Sequence, residues 1–315
     1  MSNFLDLKRS KRIRRKLKKV NSDRLRLTVF RSSKHIYAQV ICDSGAKVVA
    51  SASTNEATLK EKNNGNNYKD FPKKINIFGI NILGSEKVED SKIIHAAKIM
   101  AQYLDNDENG IVDNQAVVDK LVSVDATLIM FESELEAENS NYKIPNHEHL
   151  QGLWNDETIP SFNKNKANIR FDASLEEVLH LITHEGYAEV YPNIWGEHKG
   201  SAISKAMDKA RGGYFVSPPT KYPSSAWYSY DDETCEYDCM ITEYTYWALT
   251  SILGGQAYPG RLDEIGHEWK LNTREKVKKR DPDIFSILTD PVYNVPTKLP
   301  DSDYKGFNIS ILLQK

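Results

Sequence analysis

The chain has 315 residues, 40% hydrophobic and 27% charged, the balance of a globular protein with room for one large or two smaller domains. No run approaches about 18 uninterrupted apolar residues, and the Lys/Arg-rich N-terminus has no apolar segment behind it, so neither a membrane span nor a secretory signal is expected and the chain as written is cytoplasmic. The net charge of −2 conceals an asymmetry: residues 1–70 carry 17 Lys+Arg against 6 Asp+Glu, a net of +11, which leaves −13 for residues 71–315. A basic arm that binds nucleic acid, joined to an acidic globular body, is the expectation, so the partners of the two parts differ.

The arm begins with residues 1–22, whose densest stretch, KRSKRIRRKLKK, offers only Ile13 and Leu17 as sizeable apolar residues. Like charges repel and too little apolar surface offsets chain entropy, so the tail is expected to be disordered until phosphates neutralise it. Over residues 23–59 the pattern turns to period two. RLRLTVFRS alternates Leu25, Leu27 and Val29 with Arg24, Arg26 and Thr28, and KHIYAQVIC alternates Ile36, Ala38 and Val40 with His35, Tyr37 and Gln39. Asp43-Ser44-Gly45 is a turn before a third strand, AKVVASAS, and residues 60–72, polar and Asn-rich, read as a linker.

Basic tail, RLRLTVFRSSKHIYAQVI, turn and VVASAST together resemble the start of the bacterial 5S-rRNA-binding protein numbered eighteen in the large ribosomal subunit. The resemblance covers roughly residues 8–70. It implies 5S rRNA and the large subunit as partners, with Lys11, Arg12, Arg14, Arg15, Lys16, Lys18, Lys19, Arg24, Arg26, Arg31 and Lys34 as RNA contacts by position. That family continues with helices and strands that cover the sheet, and nothing after residue 70 aligns to them. The chain therefore reads as a fused or misjoined frame carrying a ribosomal fragment, the alternative being that the downstream domain covers the sheet.

Residues 73–315 read as a mainly helical α+β domain. KINIFGINIL, residues 74–83, is expected to be one buried strand, and residues 90–104 place Ile93, Ile94, Ala97, Met100, Ala101 and Leu104 on one helical face. In the loop 105–116, Asp105, Asp107, Asn109, Gly110 and Asp113 occupy positions 1, 3, 5, 6 and 9 of an EF-hand-like calcium loop, while position 12 is Ala116 instead of a bidentate acid. Weak calcium binding is one expectation and a polar turn capping the next helix is the other. The loop's likeness to short extracellular calcium repeats points to an extracytoplasmic origin for this body.

SLEEVLHLITHEGYAEVYP, within 174–191 and closed by Pro192, is expected to be a helix opened by a Ser174–Glu177 capping box, with His180 and His184 on one face. Imidazoles four apart on a helix can reach one zinc ion, as in HExxH motifs, although Leu181 stands where that motif has its general-base Glu. A second helix over 232–253 sets Cys235, Cys239 and Glu243 at i, i+4 and i+8. This layout resembles gluzincin-type metallopeptidases in arrangement only. It implies His180, His184 and Glu243 as zinc ligands, Glu177 or Glu185 as general base, and a metal-dependent hydrolase of unknown substrate. The rival is a noncatalytic calcium-binding or interaction domain with structural histidines. The cysteines then pack as small buried residues or form a local disulfide. Trp195, Trp227, Tyr228, Tyr230, Tyr246 and Trp247 are candidates to line a cavity.

Overall fold

The computed structural model describes residues 26–31, 36–42, 47–53, 70–143, 148–165 and 170–313, and the chain divides into two compact units, residues 1–66 and 67–315. In the first unit, β1 (Arg26–Arg31), β2 (Ile36–Cys42) and β3 (Lys47–Ser53) form an antiparallel meander in the order β1-β2-β3, with an irregularity between Val40 and Ile41. Val29, in register with Ala38, is 60% exposed, so the apolar side of β1 is open to solvent at that position. The basic tail and residues 60–69 of the expected linker lie outside the described residues, while Phe71 near its end is not linker but buried core of the second unit.

The second unit is α+β, built on a five-stranded mixed sheet in the order β7-β6-β5-β4-β8. The apolar run that reads as one strand is a hairpin, β4 (Lys73–Ile77) and β5 (Ile80–Gly84), because Phe78 and Gly79 both take positive φ and reverse the chain. β6 (Thr127–Phe131) and β7 (Leu150–Trp154) add in parallel, and β8 (Leu312–Leu313) pairs antiparallel with β4. Alternation then sorts the strands' side chains. Ile80, Ile82, Leu128 and Met130 enter the main core, while Leu83, Ile129 and Phe131 join Phe71 in a second cluster under Tyr142 and Trp154.

Five described helices have nine residues or more: α1 (Asp90–Leu104), α2 (Gln115–Ser123), α3 (Ser174–Ile182), α4 (Ala202–Arg211) and α5 (Tyr237–Ile252). α1 buries the face read from its periodicity, including Ile93, Ala97, Met100, Ala101 and Leu104. The start of α3 differs from expectation. Its Ser174 hydroxyl donates to Asp172 Oδ1 at 2.7 Å, the same oxygen accepts the Ser174 and Ile159 amides, and Glu177 closes no box. Asp172 is fully buried and its other oxygen lies 2.6 Å from His95 Nε2 on α1, which ties the two helices together.

α5 starts five residues later than expected. Before it, Asp232 accepts from the amide and hydroxyl of Thr234, and Cys235 is joined by a disulfide to Cys239 in the first turn. The cysteines are therefore a local cross-link and supply no thiolate. At the centre of the core, Asp281 accepts from Trp227 Nε1 at 2.7 Å and from Tyr244 hydroxyl at 2.6 Å. No helix among the described residues is long and apolar enough to cross a membrane.

Candidate metal centre

α3 does not continue as a regular helix. Thr183–Tyr187 form a π turn, which admits one extra residue per turn and rotates everything after it. The Thr183 hydroxyl donates to the Leu179 carbonyl at 2.9 Å, inside the ladder. Gly186 permits the wide turn to lie against α2: a Cβ there would sit 2.7 Å from Val117 Cγ1.

The two histidines make different contacts. His180 is buried, and its Nε2 lies 3.6 Å from Glu243 Oε2 on α5. Its Nδ1 lies 3.6 Å from Glu177 Oε2, a carboxylate that accepts a 2.6 Å hydrogen bond from Gln151. Glu176, His180 and Glu243 each bring one ligand atom within 4.8 Å of the others. Nε2 of His180 is a buried polar atom without a hydrogen-bond partner. Burial opposes the charge on this ring, but Glu243, Glu177 and Glu176 outweigh it and hold its pKa up, at about 10. Burial, with repulsion from Glu243, raises Glu176 well above the ordinary carboxylate range. Glu243 is raised too, chiefly by burial, with the charge of His180 opposing.

His184, read from sequence as the partner of His180, is outside this group. Its Nδ1 contacts the Glu197 carboxylate and its Nε2 lies 3.5 Å from Glu185 Oε1. Glu185 Oε2 is in turn 2.6 Å from His149 Nδ1, and Glu197 Oε1 accepts from the Thr242 hydroxyl at 2.7 Å. His149, His184, Glu185 and Glu197 line a cleft of about 420 Å³ with Glu148, Glu189, His198 and Asp238. The hydrogen bond that His184 donates to Glu197 raises its pKa to about 9, against a smaller opposing effect of burial.

Of the two candidate bases, Glu177 stands on the Nδ1 side of His180, and Glu185 belongs to the cleft. Glu176 was missed by the sequence reading although it lies four residues before His180, the same spacing that singled out His184. No comparable signal marks Glu197 or His149.

The aromatic residues mostly pack as core. Trp195 stacks on Tyr187, and Tyr228 donates to the Met240 carbonyl beside Tyr244 and Trp269. Tyr246, with its ring 5.6 Å from that of His180, and Tyr230, whose pKa is raised by burial and by Glu243, adjoin the centre.

In the Asp-rich loop, Asp105, Asp107 and Asp113 bring carboxylate oxygens within 4.8 Å of one another, and Gly110 takes the positive φ that position 6 requires. Ala116 lies in α2 and offers no ligand. Asp119, three residues on, accepts from Gln115. Asn114 caps α2 by accepting from the Val117 amide at 3.3 Å. The C-terminal segment closes over the loop: Tyr304 hydroxyl donates to Asp105 Oδ2 at 2.5 Å, and Asn106 Oδ1 accepts from the Thr297 and Lys298 amides.

Of the residues expected to contact RNA, Arg26 and Arg31 fall within β1. Lys11, Arg12, Arg14, Arg15, Lys16, Lys18, Lys19, Arg24 and Lys34 lie outside the described residues.

Residues 3–77 match the family described as ribosomal L18 of archaea, bacteria, mitochondria and chloroplast. Similar curated proteins are the large ribosomal subunit proteins uL18 of Rhodospirillum centenum, 49% identical over 59 residues, and of a Chelativorans species, 54% identical over 55 residues. That of Agrobacterium fabrum is 55% identical over 53 residues. These alignments cover 19%, 18% and 17% of this chain and 49%, 46% and 44% of the relatives, so the chain spans about half the length of the curated relatives it matches. No solved structure matches the chain. The N-terminal part of the chain, residues 3–77, thus resembles large ribosomal subunit protein uL18.

Proposed function

We propose that the chain is bipartite: an N-terminal arm that binds rRNA, and a body that holds a divalent metal and uses it for hydrolysis. Identity near 50% to proteins named as large ribosomal subunit components carries the first half of this reading. The arm adds a net charge of +11 in residues 1–70, the footprint of a phosphate-binding segment. 5S rRNA is the partner that the resemblance implies. Because the contacts are mostly cations on phosphates, affinity is shared among them and no single Lys or Arg is indispensable.

The test is a filter-binding titration of the full chain against 5S rRNA. Binding should weaken log-linearly with salt, and neutralising Lys11, Arg12, Arg14 and Arg15 together should flatten the slope by roughly 3. Binding that ignores salt, or that survives this change with the same slope, sinks the arm's assignment.

The buried, unpartnered Nε2 of His180, facing Glu243, carries the second half. A divalent cation there would lower the pKa of a bound water and supply the nucleophile for hydrolysis of a polar bond. A noncatalytic calcium-binding body is the second reading, favoured by the convergence of Asp105, Asp107 and Asp113.

A further inference from the structure

We propose that the body's metal centre is formed by Glu176, His180 and Glu243, with Glu177 positioning the imidazole, and that it takes a first-row divalent cation such as Zn²⁺ or Mn²⁺. The inference rests on the metal-binding reading above and assigns its ligands, which differ from those that sequence spacing singles out.

His180 Nε2 is a buried nitrogen that makes no hydrogen bond, and leaving such a group unbonded is costly. It points where Glu243 Oε2 stands 3.6 Å away, too far for a hydrogen bond but apt for two donors sharing an ion. Glu176 brings a third ligand atom to the same point, all three within 4.8 Å of one another. The three donors come from two helices that are fixed independently. α3 is tied at its start by Asp172, itself bonded to α1, and α5 by the Cys235–Cys239 link and the bond from Tyr244 to Asp281. A centre held in this way keeps its donors in place without the ion.

The ring's other nitrogen supports the same reading. Metal-ligating histidines commonly present their second ring N–H to a carboxylate, which fixes the tautomer and the ring plane. Glu177 lies 3.6 Å from Nδ1, an ion-pair contact longer than a hydrogen bond, and is itself held by Gln151 at 2.6 Å, so its carboxylate faces the ring's second nitrogen. Glu177 is therefore a positioning residue, acting on the ion through His180.

The donor set narrows the cation. One imidazole and two carboxylates suit zinc, manganese or ferrous iron, whereas soft ions prefer thiolates, and the only cysteines of this helix are consumed by the disulfide. Three protein ligands also leave coordination positions for water, as catalytic sites do. The cleft of His184, Glu185, Glu197 and His149 is a separate network whose carboxylates already pair with its histidines.

The test uses the full chain, dialysed with excess Zn²⁺ and, separately, Mn²⁺, with metal content read by elemental mass spectrometry and folding by circular dichroism. Wild type should hold one ion in this centre. The isosteric Glu176→Gln and Glu243→Gln variants, and His180→Ala, should weaken binding at least tenfold, Glu177→Gln less, while His184→Ala binds like wild type. The melting temperature should rise with Zn²⁺ in wild type and in His184→Ala, and not in Glu176→Gln. Metal bound by wild type and by Glu176→Gln alike, or lost in His184→Ala, would overturn this ligand assignment and leave a metal-binding body standing. Wild type that binds neither ion would overturn both.

Discussion

His184 shows how one neighbour sets a residue's chemistry. Its side chain is half exposed, yet contact with Glu197 raises its pKa from the usual 6.5 to about 9, so at neutral pH the ring is charged and paired. A basic group whose folded value is raised stabilises the fold fully below its unfolded value, and that stabilisation disappears as pH rises through the folded one. Here the window runs from about pH 6.5 to 9. Solvent exposure keeps the effect small in energy but leaves it visible in titration. A ¹H–¹⁵N imidazole titration should place the His184 midpoint near 9 in wild type and move it toward the ordinary range in Glu197→Gln. An unchanged midpoint would show that Glu197 is not the cause. That pairing was invisible in the sequence, because Glu197 lies 13 residues away in a loop whose spacing carries no helical signal.

At the scale of elements, α3 passes into a π turn at Thr183, one residue before His184. Counting residues at 3.6 per turn puts His180 and His184 on one face, yet His180 faces Glu243 while His184 pairs with Glu197 and Glu185. The wide turn depends on close contact with α2 at Gly186. Gly186→Ala would press a Cβ to 2.7 Å from Val117 Cγ1 and 3.4 Å from Leu121 Cγ, an overpacking that costs about 1–3 kcal/mol. Denaturant unfolding of the full chain should show this loss, and Val117→Ala in the same chain should recover part of it. Full stability in the single variant would mean that the two elements separate freely. Other elements were plain in the sequence: α1 follows its apolar period, and β1–β3 follow theirs. The β4–β5 hairpin was not, since both of its strands are apolar and the turn lies within the run, at Phe78 and Gly79.

Across the whole second unit, the Asp-rich loop and the C-terminal segment form one fastening. Tyr304 bonds Asp105, Lys305 N bonds Glu108, and Asn106 and Gln102 hold Thr297, Lys298, Asp301 and Ser302, contacts that close about 200 residues of chain. An ion bound by Asp105, Asp107 and Asp113 would tighten this fastening, so calcium at millimolar concentration should raise the melting temperature. Asp107 is exposed and takes no part in bonds to the C-terminal segment, so Asp107→Asn should remove the calcium effect and leave the calcium-free melting temperature nearly unchanged. Equal calcium response in both proteins would discard the loop as the ion site.

Local pattern was enough to read the charge division of the chain, the strand-forming arm with its resemblance to a ribosomal protein, and the helices bearing His180 and Glu243. Each of those depends on residues close together in sequence, where period, charge and composition act directly. The partners of those residues depended on the tertiary structure. Glu176 and His180 meet Glu243 where α3 packs on α5, and His184 pairs instead with Glu197 from a distant loop. Such pairings follow from packing between segments far apart in the chain, and no periodicity records them.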